Sequence, residues 1–279
     1  MFILKPSVSV GCIKALGFQN GSYRYMQDPD FSHSLQEIKE TGIEQIELDV
    51  CGMLYPEIFE EYVEKTADTV ANAGLRINSV HFPFGQPWTD LASPWESDRT
   101  EIVKWLAKIF QKYEQYKPAA YVFHPGGAYA TEENRSEAMK RLCTSADELA
   151  EETSAHVCVE NMVAGALLNT VDKVLEFTEL ASKASVVLDV NHLLHDKPED
   201  AILRIGNRIQ ALHISDYDFV CERHEMPGKG KIDWMKVLGA LETIGYKNVF
   251  NYEVRMTGYT YKDIKDNYDA LFARYNALR

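Results

Sequence analysis

The chain has 279 residues, 46 % hydrophobic and 25 % charged, which is enough apolar material for a large core and excludes a disordered or collagen-like chain. Its formal net charge of −13 disfavours nucleic acid as a partner, because phosphate contacts are made mainly by clustered Lys and Arg. The five cysteines (Cys12, Cys51, Cys143, Cys158, Cys221) are an odd, scattered set with no C-x-x-C pair, so reduced structural thiols and a cytoplasmic location are expected.

The chain opens Met-Phe-Ile-Leu-Lys-Pro, without the charged start and apolar stretch of a signal peptide, and no uncharged run of about 18 apolar residues offers a membrane span. Short β-branched runs then alternate with stretches of helical period. Strands are predicted at residues 7–13, 43–50, 77–84, 121–125, 156–162, 185–192, 209–216 and 249–255. Between them lie amphipathic stretches such as 56–73, 98–116, 132–153, 171–182 and 232–245, and 261–279 closes the chain. Gly42, Gly74 and Gly245 each stand after a helical run and before a strand, where a residue tolerating positive φ ends a helix. Eight such cycles without a Pro-, Gly- or Ser-rich linker predict a single α/β domain over residues 1–279, a (β/α)8 TIM barrel, in preference to a doubly wound open sheet.

In such a barrel the chemistry gathers at the C-terminal ends of the strands. The third predicted strand ends with His81, the fourth with His124, the fifth with Glu160, the sixth with Asp189 and His192, the seventh with His213 and Asp216, and the eighth with Glu253. Period-two alternation puts Val249, Asn251 and Glu253 on one face, and Val122 with His124 on one face opposite Tyr121 and Phe123. Any one of these residues alone is better read as a buried histidine, a helix cap or a solvated carboxylate. Together they are not, because several carboxylates around one cavity repel each other in a low-dielectric setting unless a cation joins them. The strongest set is Glu160, Asp189, His213 and Glu253, a cofactor site for one divalent metal ion; its oxygen-rich donors suit Mn²⁺, Mg²⁺ or Co²⁺ and accept Zn²⁺.

The loop at 222–234 contains Pro227, Gly228 and Gly230 for a tight turn, with Asp233 as the N-cap before Trp234. Arg223 and His224 at its start are read as mouth residues that contact the ligand, whereas Lys229 and Lys231 read as solvated. No G-x-G-x-x-G, Walker, G-x-S-x-G or H-E-x-x-H motif is present, which leaves nicotinamide, nucleotide and serine-hydrolase readings without support.

Taken together, Gly-Ile-Glu-Gln-Ile-Glu-Leu (42–48), His-Pro-Gly-Gly (124–127), Val-Glu-Asn, Leu-Asp-Val-Asn-His, Leu-His-Ile-Ser-Asp and the Gly-Lys-Gly-Lys-Ile-Asp-Trp end of the 222–234 loop resemble the xylose isomerase-like TIM barrel superfamily, in its sugar phosphate isomerase/epimerase branch. The resemblance implies that Glu160, Asp189, His213 and Glu253 bind one divalent metal and that Glu160 and Glu253 serve as acid and base on opposite faces of a sugar. It also implies that His192 contacts the substrate, with His81, His124, Arg223 and His224 completing the mouth, and that the chain is a homo-oligomer acting on a small-molecule sugar or sugar phosphate. Two positions depart from the ketose epimerases: Ala166 stands where they have a second glutamate, and Phe219 where they have an arginine. A related branch, the endonuclease IV-type AP endonucleases with a multi-zinc site, is also similar. Its ligand positions correspond to His81, His124, Glu160, Asp189, His192, His213, Glu222, His224 and Glu253, but no basic stripe marks a DNA groove. A third reading, an inosose dehydratase-like lyase, uses the same metal and base; a non-catalytic sugar binder is a fourth.

Overall fold

The computed structural model describes residues 1–19, 22–50, 56–85 and 87–279, with side chains undescribed at 13–19, 22–26, 56–59, 61 and 87; Cys51 lies outside the described residues. In chain order the strands are β1 (Pro6–Gly11), β2 (Ile13–Gln19), β3 (Ser22–Gln27), β4 (Gln45–Asp49), β5 (Arg76–His81), β6 (Ala120–Phe123), β7 (His156–Glu160), β8 (Ser185–Asp189), β9 (Ile209–His213) and β10 (Phe250–Tyr252). The helices are α1 (Phe31–Glu40), α2 (Pro56–Asn72), α3 (Glu96–Tyr113), α4 (Arg135–Glu151), α5 (Val171–Leu180), α6 (Pro198–Ile205), α7 (Trp234–Thr243) and α8 (Tyr261–Ala277). Eight strands are hydrogen-bonded in the order β10-β1-β4-β5-β6-β7-β8-β9, every pairing parallel. The ring closes just beyond β9, where Ile214 N donates to Asn251 O (2.8 Å) and Glu253 N donates to Ile214 O (3.0 Å). The molecule is therefore the expected single-domain TIM barrel.

The outer layer follows from helical period. In α3, Ile102, Leu106, Ile109 and Tyr113 recur every three or four residues and are all buried, with Phe110 beside them. Thr260 and Asp263 close a capping box at the start of α8, and Asp233 accepts from Lys236 N at the start of α7, as its position before Trp234 predicts. Gly42, Gly74 and Gly245 all have positive φ, in agreement with their predicted role.

Inside the ring a second, smaller core of Ala120, Val122, Cys158, Val187 and Ala211 is separate from the strand–helix core. These residues set up the site, because side chains two residues apart on a strand share a face. One such step toward the C-terminal end takes Val122 to His124, Cys158 to Glu160, Val187 to Asp189 and Ala211 to His213. A compact apolar floor thus supports a ring of polar side chains.

One element goes beyond the sequence reading. After β1 the chain forms an antiparallel hairpin, β2 with β3, whose last paired residues are Gln19 and Ser22. It leaves from the C-terminal end of β1, the end of the barrel that holds the polar ring. Among the described residues no helix is long and apolar enough to cross a membrane. Cys12, Cys143 and Cys158 are free and buried, as expected of structural thiols, whereas the free Cys221 is exposed.

Candidate metal centre

The register of the sheet brings the predicted quartet together. Asp189 and His213 are direct partners across β8 and β9, Glu160 ends β7, and Glu253 follows β10 at the closure of the ring. One donor atom each from Glu160, Asp189, His213 and Glu253 lies within 4.8 Å of the others. His213 Nδ1 is 2.9 Å from Glu160 Oε1 and 3.3 Å from Glu253 Oε2. Glu160, Asp189 and His213 are buried, and although the Glu253 side chain is 28 % exposed, its Oε2 is sealed from solvent.

Two oxygens of this set, Asp189 Oδ2 and Glu253 Oε2, are buried without a hydrogen-bond partner. Orphaned buried carboxylate oxygens are costly, and two of them within one cluster of donors fit a cation-binding role. Three carboxylates and one imidazole are a donor set for a divalent metal such as Mn²⁺, Co²⁺, Mg²⁺ or Zn²⁺. The electrostatics agree. Burial pushes the Asp189 carboxyl up to about 6 despite the nearby His192. Burial also opposes charge on Glu160, but His213, with hydrogen bonds from His124, His213 and His81, holds its carboxyl well below the usual range. Burial opposes charge on His213 as well, and Glu253, Glu47 and Glu160 nonetheless raise it well above an ordinary histidine.

The other predicted mouth residues fall into three groups. His81 Nε2 and His124 Nε2 both approach Glu160 Oε2, at 3.3 and 3.2 Å. His192 Nε2 lies 3.2 Å from Asp189 Oδ2, and Glu222 Oε1 lies 2.7 Å from His224 Nε2 and 3.7 Å from His192 Nε2. Histidine 224 is held at φ 53, a left-handed conformation that non-glycine residues seldom adopt, and such strain marks functional positions. Arg223 is not drawn in: its guanidinium pairs with Asp218 at 2.6 Å and is half-exposed. Asp216 is not a ligand either, because its carboxylate is spent on the loop, accepting from the backbone N–H groups of Tyr217 (2.9 Å), Gly228 (2.7 Å) and Ile232 (3.1 Å) and from Trp234 Nε1 (2.9 Å). Lys229 and Lys231 are exposed, in agreement with their bland reading.

Three further residues support the site. Asn161, directly after Glu160, donates from Nδ2 to Asp189 O (2.9 Å) and accepts Asp189 N (2.8 Å) on Oδ1, which ties β7 to β8 at the rim. Asp90 accepts Gly127 N (2.6 Å) and Ala128 N (3.1 Å), fixing the loop that follows His124. Glu47, inside the Gly-Ile-Glu-Gln-Ile-Glu-Leu run, is buried against His213 from the opposite side of the lumen. Period two on β4 puts Glu47 and Asp49 on one face, a signal that could have marked Glu47 as inward-facing. Beside the quartet a cavity of about 220 Å³ is lined by Phe84, His124, Met162, Ala166 and Leu167 among others, with the Phe84 ring stacked on His124 at 4.0 Å.

An eight-stranded parallel ring with an acid-rich, histidine-rich rim defines an α/β-barrel protein whose mouth carries a cluster that could hold a cation. The family description "xylose isomerase-like TIM barrel" matches residues 35–274, and the chain belongs to that family. A D-psicose 3-epimerase from Enterocloster bolteae is 29 % identical over 93 residues, covering 32 % of this chain and 29 % of that protein. A D-tagatose 3-epimerase-like protein superposes with a TM-score of 0.71 at 20 % identity, covering 98 % of this chain and 99 % of the other. A D-psicose 3-epimerase from Clostridium cellulolyticum H10, solved with D-tagatose, does so with a TM-score of 0.71 at 16 % identity over 98 % and 99 % of the two chains.

Proposed function

We propose that this protein is a metal-dependent isomerase or epimerase of a sugar or sugar phosphate, which moves a proton at a carbon next to a carbonyl. The observation that carries the reading is the convergence of Glu160 and Glu253, from opposite ends of a run of four adjacent strands, on His213 Nδ1 at 2.9 and 3.3 Å. A substrate held at this cluster would have both carboxylates within reach. A divalent cation on Glu160, Asp189, His213 and Glu253 would polarise the oxygens of a bound ketose and make the adjacent C–H more acidic. One glutamate then takes the proton as the enediolate forms, and the other returns it on the opposite face or at the neighbouring carbon. His124 lines the adjoining cavity, and His81, His192 and His224 would meet the sugar hydroxyls beside it. Arg223 would reach a substrate only by giving up Asp218.

The names of the similar proteins, D-psicose 3-epimerase and D-tagatose 3-epimerase-like protein, support ketose chemistry. Ala166, in place of the second glutamate of the ketose epimerases, lines the cavity beside His124, so the substrate end lodged there is recognised without that carboxylate. The test is turnover of a panel of ketoses and ketose phosphates in deuterium oxide, followed by NMR. Product carrying solvent deuterium at the reacting carbon is expected; turnover without it sinks the proton-transfer reading. Metal analysis runs in parallel, with one cation per chain expected. Three zincs per chain together with cleavage of an abasic-site duplex would replace this reading with a nuclease, and loss of water from a cyclic polyol ketone would replace it with a dehydratase.

A further inference from the structure

The histidines of the rim are not all held in the same way. His81 Nδ1 donates to Phe82 O (3.1 Å), His192 Nδ1 to Asn161 O (2.8 Å) and His224 Nδ1 to Glu253 O (3.0 Å). In each case a backbone carbonyl fixes Nδ1 as the protonated nitrogen and leaves Nε2 facing carboxylates. His213 is reversed. Its Nδ1 faces Glu160 and Glu253, and its Nε2 points the other way, toward Glu47 Oε1 at 3.0 Å. Among the described residues no hydrogen-bonding partner meets His213 Nε2, so this ion-pair contact with Glu47 is what lies behind the ring.

Glu47 is itself fixed. Ser79 Oγ donates to its Oε2 (2.8 Å), Asn251 Nδ2 donates to its Oε1 (3.3 Å), and the side chain is 1 % exposed. Ser79 is its direct partner on β5, and Asn251 lies on β10, so the carboxylate is braced from both sides of the lumen. A buried carboxylate braced in this way, and used by no step of the proton transfer, calls for a role of its own.

We infer that Glu47 is the positioning residue of His213: it holds the proton on Nε2 and keeps the Nδ1 lone pair aimed at the cation, doing for this ring what backbone carbonyls do for His81, His192 and His224. A ligating imidazole backed by a carboxylate is both better oriented and more basic than an unsupported one. The inference rests on the reading of the quartet as a cation site.

The test compares wild type, Glu47→Gln and Glu47→Leu in the full chain, with Mn²⁺ affinity read by chelator competition and Co²⁺ geometry read from the visible spectrum. Glu47→Leu is expected to weaken Mn²⁺ binding about 10- to 100-fold and to change the Co²⁺ spectrum. Glu47→Gln, which keeps an oxygen that can face Nε2, is expected to keep most of the affinity. Wild-type affinity and an unaltered Co²⁺ spectrum in Glu47→Leu would overturn the inference. If Glu47→Leu does not fold, Asn251→Ala, which removes one brace from Glu47, takes its place with the same expected direction, and an unaltered Co²⁺ spectrum there counts against the inference in the same way. If wild type itself takes up neither ion, the cation reading fails on its own. The His213 ring in crystals of Glu47→Leu then decides: a turned ring supports the positioning role and an unmoved ring overturns it.

Discussion

At the scale of single residues, the cost of this site lies in its buried carboxylates. Asp189 shows it most directly, since burial pushes its carboxyl up to about 6 and Oδ2 has no hydrogen-bond partner. Asp189→Asn removes both a carboxyl that is hard to ionise and the partner of His192, so the chelated protein should change little in stability near neutral pH, while losing the stabilisation that added Mn²⁺ gives. For wild type that gain is about 2.7 kcal/mol at a metal concentration about 100-fold above Kd. Thermal melts with Mn²⁺ and with chelator check both parts. Glu253→Gln tests the acid–base role. Turnover should drop by roughly 10²- to 10⁴-fold, the usual worth of a general acid or base, with an unchanged circular dichroism spectrum. Retained activity would remove Glu253 from that role.

At the scale of elements, the loop between β9 and α7 places His224 and Glu222 at the mouth, and Asp216 organises it through three backbone N–H groups and the Trp234 indole. Gly230 fits because a Cβ there would overlap Asp216 Oδ1 and the Tyr217 carbonyl. Gly230→Ala is predicted to destabilise the fold by about 1–3 kcal/mol, the usual range for overpacking, and to lower kcat by disturbing His224. Urea denaturation and steady-state kinetics read the two effects separately. An unshifted unfolding midpoint would mean that the loop relaxes freely around the new methyl group. The β2–β3 hairpin has a sequence signal of its own, Asn20-Gly21 between Gln19 and Ser22, the dipeptide favoured in two-residue hairpin connections. That signal is short, and a continuous eight-cycle pattern of strands and helices outweighs it.

At the scale of the whole molecule, the rim couples stability to pH. In the chelated protein, burial opposes charge on His81 and His192, but Glu160 beside the first and Asp189 beside the second raise them to about 9 and about 10. Groups raised in this way stabilise the fold fully below the ordinary histidine value of about 6.5, and the contribution is lost as pH rises through 9 to 10. Glu222, held at about 2 by the neighbouring His192 and by its hydrogen bond from His224, acts in the opposite sense, since its contribution is lost as pH falls below the ordinary glutamate range. Asp189 adds a cost as pH rises from about 3.9 to about 6, because its folded carboxyl is the harder one to ionise. The chelated protein should thus be most stable on the mildly acidic side of neutrality and weaken toward pH 10. A cation on the proposed quartet would require His213 to give up a proton, so the Mn²⁺-induced rise in Tm should grow with pH. Melts from pH 5 to 10 with and without Mn²⁺ check this; a metal increment that falls with rising pH would contradict it.

Local regularities were enough to predict the barrel and its quartet. Strand and helix periods fall in register with their neighbours, and three of the quartet stand one period-two step beyond an apolar residue, so that Glu160, Asp189 and His213 are legible beside Cys158, Val187 and Ala211. Other features depend on chain closure. Glu47 meets His213 only because the ring curls β4 round to face β9 across the lumen, and no spacing along the chain records that approach. Asp216 sits three residues after His213 and Arg223 directly before His224, yet the Asp216 carboxylate and the Arg223 guanidinium both take partners within their own loop. Alternation along a strand fixes which way a side chain faces, whereas the partner it meets is fixed by residues far off in the chain, which only the tertiary structure brings within reach.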